Sequence, residues 1–273
     1  MVASVSAVQA TAVVTAVLDG LPVFLAGSSA TAARTPGFEH CYDDIDVFCS
    51  TPQALISSAE KLIATGFEIT DRYKRVYHRW LKHGFKGWHT NSLKLKNLTT
   101  GLDVNLVYKT IDKKPTTTLA QVIESFDFGV LGVGYDCETG EWRDMRSYLF
   151  PSYTIDPVNP VLPLLPERRK DWRSGFITQY HGLRQLNRFI RYMDYGYDMS
   201  LAYEDIVMGY QQASIFYTAR TDRPDLEALG RIFESIAMQM EDAHKLDDWD
   251  SLRAASSEII YLDELDSILE ALE

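Results

Sequence analysis

The sequence predicts an α+β protein: a mixed β-sheet domain over residues 1–160, followed by a mostly helical domain over residues 161–273. Three observations predict it. Short apolar or alternating runs of strand length dominate residues 21–108; five of the ten prolines fall between Pro151 and Pro166; and from Lys170 onward apolar residues recur at spacings of three and four.

Residues 5–18 carry helical spacing, and Leu21–Ala26 is a short apolar run ended by Gly27, which reads as a buried strand. A small-residue loop is expected next. Asp44–Cys49 alternates and is rich in β-branched residues, hence a strand; Pro52–Thr65 returns to helical spacing through Leu55, Ile56 and Leu62. Strands are then expected at Phe67–Thr70, Tyr73–Leu81, Ser92–Leu98 and Leu102–Tyr108, with turns at Lys82-His83-Gly84 and Thr99-Thr100-Gly101. The sheet half should hold few helices. The prolines suit an extended connector, and Lys170–Met193, Leu201–Ala219, Asp225–Lys245 and Asp247–Glu273 read as helices.

Composition narrows the class. With 273 residues, 46% hydrophobic and 24% charged, the chain can bury a real core, which excludes disordered, collagen-like and disulfide-scaffold classes. The cysteines at 41, 49 and 137 form no close-spaced pair, so free thiols and a cytoplasmic setting are expected. The Val- and Ala-rich start has no basic residue before Arg34, and no apolar stretch reaches the ~20 residues of a membrane span, so neither an export signal nor a membrane partner is expected.

The net charge of −11 is unevenly spread: from Glu234 onward there are 12 acids and 2 bases, leaving 26 acids and 25 bases before it. Arg72–Lys96 carries eight bases and no acid. One surface should therefore be strongly basic.

The chemistry gathers on acids. On Asp44-Ile45-Asp46-Val47 the two carboxylates share one face while Ile45 and Val47 pack inward. Some 6–7 Å apart, they repel by roughly 2.5 kcal/mol at an effective dielectric near 20, a penalty that a bound cation removes. Hard divalent ions take such oxygens together with substrate phosphates. In Leu102-Asp103-Val104 the same alternation turns Asp103 away from the core. If that strand pairs beside the first, three carboxylates can hold two metal ions, and one of them can act as a base. Upstream, Gly27-Ser28-Ser29 follows a strand, and its glycine allows close approach of the backbone to a ligand.

In that order, Leu25-Ala26-Gly27-Ser28-Ser29, Asp44-Ile45-Asp46-Val47 and Leu102-Asp103-Val104 resemble the pattern of the polymerase-beta-like nucleotidyltransferase superfamily over about residues 20–110. The chain also resembles bacteriophage-encoded members. The resemblance implies two magnesium ions, with manganese as the substitute, and transfer of a nucleoside monophosphate from a nucleoside triphosphate to an acceptor hydroxyl. It implies that Gly27, Ser28 and Ser29 meet the triphosphate, that Asp44 and Asp46 bind both metals, and that Asp103 binds the catalytic metal and serves as base. The chain departs from the family in carrying Asp43 where a serine often precedes the first aspartate, and in the long segment between Ser29 and Asp44.

Each residue also has a plainer reading. Asp44 and Asp46 could lie on an edge strand facing solvent, Asp43 in a turn, Asp103 on an amphipathic strand, and Asp127 could cap or make a buried bond. The basic segment is interleaved with Tyr73, Tyr77, Trp80, Phe85 and Trp88, which suits RNA, a tRNA 3′ end first, with Arg75, Arg79 and Lys94 contacting the acceptor. Its alternative is a solvated hairpin. Arg184, Arg188 and Arg191 fall on one helix face, where Arg184 and Arg188 would meet the triphosphate if that helical domain closes the nucleotide cleft, or form an exposed stripe. His78, His83 and His89 with Cys41 and Cys49 match no standard zinc spacing. The acidic tail is a solvated helix face or a guard folded onto the basic segment. A small-molecule or protein hydroxyl is the second choice of acceptor, and a catalytically silent binding protein the reading from another class.

Overall fold

The computed structural model describes residues 5–76, 88–111, 114–124, 126, 129–146, 179–196, 224–252 and 254, with nine further positions between 203 and 219; the side chains of residues 73–90 are outside that description. The chain divides into two compact units, Met1–Pro160 and Val161–Glu273.

The first unit is built on one mixed sheet. Its strands are β1 (Val23–Ala26), β2 (Ile45–Cys49), β3 (Phe67–Val76), β4 (Trp88–Asn97), β5 (Asp103–Ile111), β6 (Lys114–Pro115), β7 (Val133–Asp136) and β8 (Glu141–Asp144). They lie in the order β3-β4-β5-β2-β1-β7-β8, with β6 on β5. Among the described residues only β2 and β5 pair in parallel; the other pairs are antiparallel.

Helices α1 (Ala7–Leu18) and α3 (Pro52–Ala64) cover one face. Ser6 caps α1 by accepting from Gln9 N–H, and Ala10, Val14 and Leu18 follow one stripe into the core. In α3, Thr51 accepts from Ala54 N–H and Pro52 supplies a preset first turn. Beneath them Val23, Leu25, Ile45, Val47, Leu95, Val104 and Leu106 form the main core. A fully buried leucine such as Leu25 or Leu106 contributes roughly 1.5–3 kcal/mol by leaving water.

The expected small-residue loop after Gly27 is instead helix α2 (Ser28–Ala33). Its serines and alanines give no amphipathic stripe to read, but they are small enough for Ser29–Ala32 to be buried. Thr31 Oγ1 donates to the Val130 carbonyl, and buried Arg146 donates to Thr35 Oγ1 and to Asp144. Burial alone would raise the Asp144 carboxyl, but the Arg146 hydrogen bonds outweigh it and hold it below the usual range. The turn at Gly27–Ser28 therefore opens a pinned helix.

The two strands expected from Phe67 onward are one strand, β3, irregular between Ile69 and Asp71. The Thr99-Thr100-Gly101 turn is present, with Asn97 Oδ1 accepting from the N–H groups of Thr99 and Thr100. Among the described residues beyond 111, strands β6, β7 and β8, helix α4 (Leu119–Glu124) and a short 3-10 turn at Gly129–Leu131 had no counterpart in the sequence pattern. On the second sheet face, α4 packs Leu119, Val122 and Ile123 against Phe24, Ala26, Phe48 and Val107. It comes so close that a Cβ on Gly134 would stand 2.5 Å from Leu119 Cδ1.

In the second unit the described helices are α5 (Gln179–Asp194) and α6 (Pro224–Leu246), with helical residues also between Tyr203 and Thr218. The turn at Lys82–Gly84, the proline connector and Asp127 lie outside the described residues. No described helix is long and apolar enough to cross a membrane.

Candidate functional site

Beyond the reach of α4, the second face of the sheet changes character. Because Ile45, Val47, Val104 and Leu106 are committed to the core, Asp46 and Phe48 on β2 and Asp103, Asn105 and Val107 on β5 face the other way. The parallel register sets Asp46 beside Asn105 and Ile45 beside Val104. Asp44, expected at the head of the first of these strands, lies in the bend just before β2, outside the paired register, while Asp103 is the first residue of β5. Two of the three aspartates singled out in the sequence, Asp46 and Asp103, thus share one face of two neighbouring strands, and Asp44 immediately precedes one of them.

Two cross-strand rows describe the site. In one, Lys94 on β4, Asn105 on β5, Asp46 on β2 and Ala26 on β1 are successive partners. In the other, Glu68 on β3 is opposite Lys96, which is opposite Asp103. Asn105 Nδ2 donates to Asp46 Oδ1 at 2.8 Å. A carboxylate can only accept, so this bond fixes the amide and leaves Asn105 Oδ1 buried without a partner among the described residues. Lys96 Nζ contacts Asp103 Oδ2 at 3.1 Å. The first acid is oriented by a neutral amide, the second by a cation.

Gly27 closes the β1 side. It has φ 95° and ψ −157°, a region that side chains other than glycine's hardly tolerate, and a Cβ there would lie 3.1 Å from Asp46 Oδ2. The backbone of the turn therefore sits directly against the carboxylate. Ser28 is half-buried next to it, whereas Ser29 is fully buried and its Oγ has no partner among the described residues. Of the two hydroxyls, only that of Ser28 is accessible.

A cavity of about 380 Å³ opens at the start of β5, lined by Asp103, Asp43, His40, Tyr42, Thr99 and Thr100 among others. Asp43 is exposed just before β2.

By donor chemistry, the carboxylates of Asp44, Asp46 and Asp103 suit a hard divalent cation. Among the described residues, however, no three His, Cys, Asp or Glu side chains already surround one point. The other expected residues are more scattered. Lys94 is exposed on the site's face, and Arg188 is half-buried on α5. The side chains of Arg75 and Arg184, all of Arg79, and the aromatics from Tyr73 to Trp88 lie outside the described residues. Of the zinc candidates, Cys49 is buried in the main core and Cys41 is partly exposed.

Sequence reasoning missed Lys96 as a partner of Asp103 and Asn105 as a partner of Asp46. The signals were there: Leu93-Lys94-Leu95-Lys96 alternates, and Asn105 follows Asp103 at the strand period. Only register says which residue meets which. No protein-family model matches the chain, and no curated protein does.

Proposed function

We propose that this chain is a metal-dependent nucleotidyltransferase of the polymerase-beta-like type, moving a nucleoside monophosphate from a nucleoside triphosphate to an acceptor hydroxyl. The observation that supports this reading is that Asp46 and Asp103 share one face of adjacent parallel strands, with Asp46 against the Gly27 backbone and Asp44 just before β2. Asp44, Asp46 and Asp103 would hold magnesium or manganese, which when bound neutralises charge developing on the phosphates. Gly27 lets the chain approach a phosphate oxygen, and the Ser28 hydroxyl can donate to one. Asp103 takes the proton from the acceptor hydroxyl, whose oxygen bonds to the α-phosphorus as the bond to pyrophosphate breaks.

RNA is the acceptor suggested by the basic run Arg72–Lys96. The cavity beside Asp103 favours a second reading, a small hydroxyl compound, because about 380 Å³ fits a small molecule. Incubation with α-labelled nucleoside triphosphates, magnesium and either total RNA or a panel of small hydroxyl compounds tests both. Label entering RNA supports the first acceptor, and label entering a small compound the second. Nucleotide binding with neither label transfer nor pyrophosphate release, identical in wild type and Asp46→Asn, would make the chain a silent binding protein.

A further inference from the structure

We propose that Lys96 is a tethered cation that competes with the divalent ion for Asp103, so that it sets the metal affinity of the site and moves to Glu68 when metal binds. This rests on the metal-site reading above and goes beyond it, because nothing in that reading assigns Lys96 or Glu68 a part.

The backbone provides the placement. Lys96 lies directly opposite Asp103 across β4 and β5, and its neighbour Leu95 is fully buried in the main core. The lysine stem therefore always starts beside the carboxylate. The contact itself is weak: Lys96 and Asp103 are 41% and 44% exposed, and pairs that exposed are solvent-screened and readily exchanged. A compact ammonium on a four-carbon stem can leave without disturbing the strand.

It also has somewhere to go. On the far side of Lys96, in the same row, stands Glu68, exposed and on the same face because Phe67 and Ile69 pack toward the core. The row therefore reads acid, cation, acid from Glu68 to Asp103. An incoming divalent ion competes with Lys96 for the Asp103 carboxylate and repels the ammonium toward Glu68. Asp46, by contrast, accepts a hydrogen bond from the neutral amide of Asn105.

Manganese binding to the full chain, titrated by electron paramagnetic resonance, tests this without reference to turnover. Lys96→Gln should bind manganese about two- to fivefold more tightly than wild type, the scale of removing one half-exposed ion pair. Lys96→Arg, which restores the charge, should return the affinity to the wild-type value or below. Glu68→Gln should weaken binding, and Lys94→Gln, one strand period away, should change it less than Lys96→Gln. Equal or weaker binding by Lys96→Gln, with Asp46→Asn still abolishing it, would overturn the role of Lys96 and leave the metal site standing. The same gain from Lys94→Gln would replace a specific competitor with a general field and equally overturn it. Manganese bound alike by wild type and Asp46→Asn, or by neither, would overturn both readings together.

Discussion

Two stretches of the same sheet face, one strand period apart on β2 and β5, have opposite fates. Phe48 and Val107 are buried beneath α4, while Asp46 and Asn105 are half-exposed and hydrogen-bonded to each other. Alternation alone decides which face a residue takes; whether that face becomes core or site depends on the element laid over it. Here α4 covers the β1–β7 side, and its approach depends on a glycine at 134.

The contrast can be broken at either end. The largest effect should come from Asp46→Asn, which removes a charge but keeps an acceptor for Asn105: label transfer is abolished while urea unfolding shifts by less than about 1 kcal/mol. A collapse in stability would place Asp46 in the core class instead. Next, Phe48→Ala, two residues along, should cost about 3–5 kcal/mol in the same unfolding measurement, because it leaves a cavity under α4. Unchanged stability would mean that α4 is not a true lid on that end.

Gly27→Ala joins the two effects. The backbone conformation costs an alanine on the order of 1–3 kcal/mol, and the new methyl presses on Asp46 Oδ2. Stability should fall moderately and metal affinity with it. Loss of stability with unchanged manganese binding would detach the turn from the site.

The smallest effect sharpens the comparison from the other face. Burial in the core pushes the Cys49 and Cys137 thiols up to about 12. A raised folded value means that the stabilising contribution is complete below pH 9, the ordinary thiol value, and is lost as pH climbs toward 12. Unfolding free energy should therefore decline above pH 9, and less steeply in Cys49→Ala. Identical slopes would show that the thiol is not sequestered.

How much of this was legible without coordinates follows from the physics of each element. Helices α1 and α3 announce themselves through Ser6, Thr51 and Pro52 and through apolar stripes. The strands holding the aspartates show their alternation plainly. Helix α2 does not, because alanine and serine carry no stripe, and β7 and β8, at four residues each, are too short for a period to emerge. The face of Asp103 could be read, but not its neighbours. Lys96 and Asn105 acquire their partners only through pairing between strands, which periodicity does not encode.

The parallel seam between β2 and β5 carries a last consequence. Asp46 and Asn105 are 59 positions apart, joined through α3, β3 and β4. A chain still emerging from the ribosome cannot assemble the acidic cluster until β5 has been synthesised and has closed that long loop, a slow non-local step. Gain of divalent-ion binding would then be a late marker of folding, and a protein split between β4 and β5 would be inert until its halves recombine.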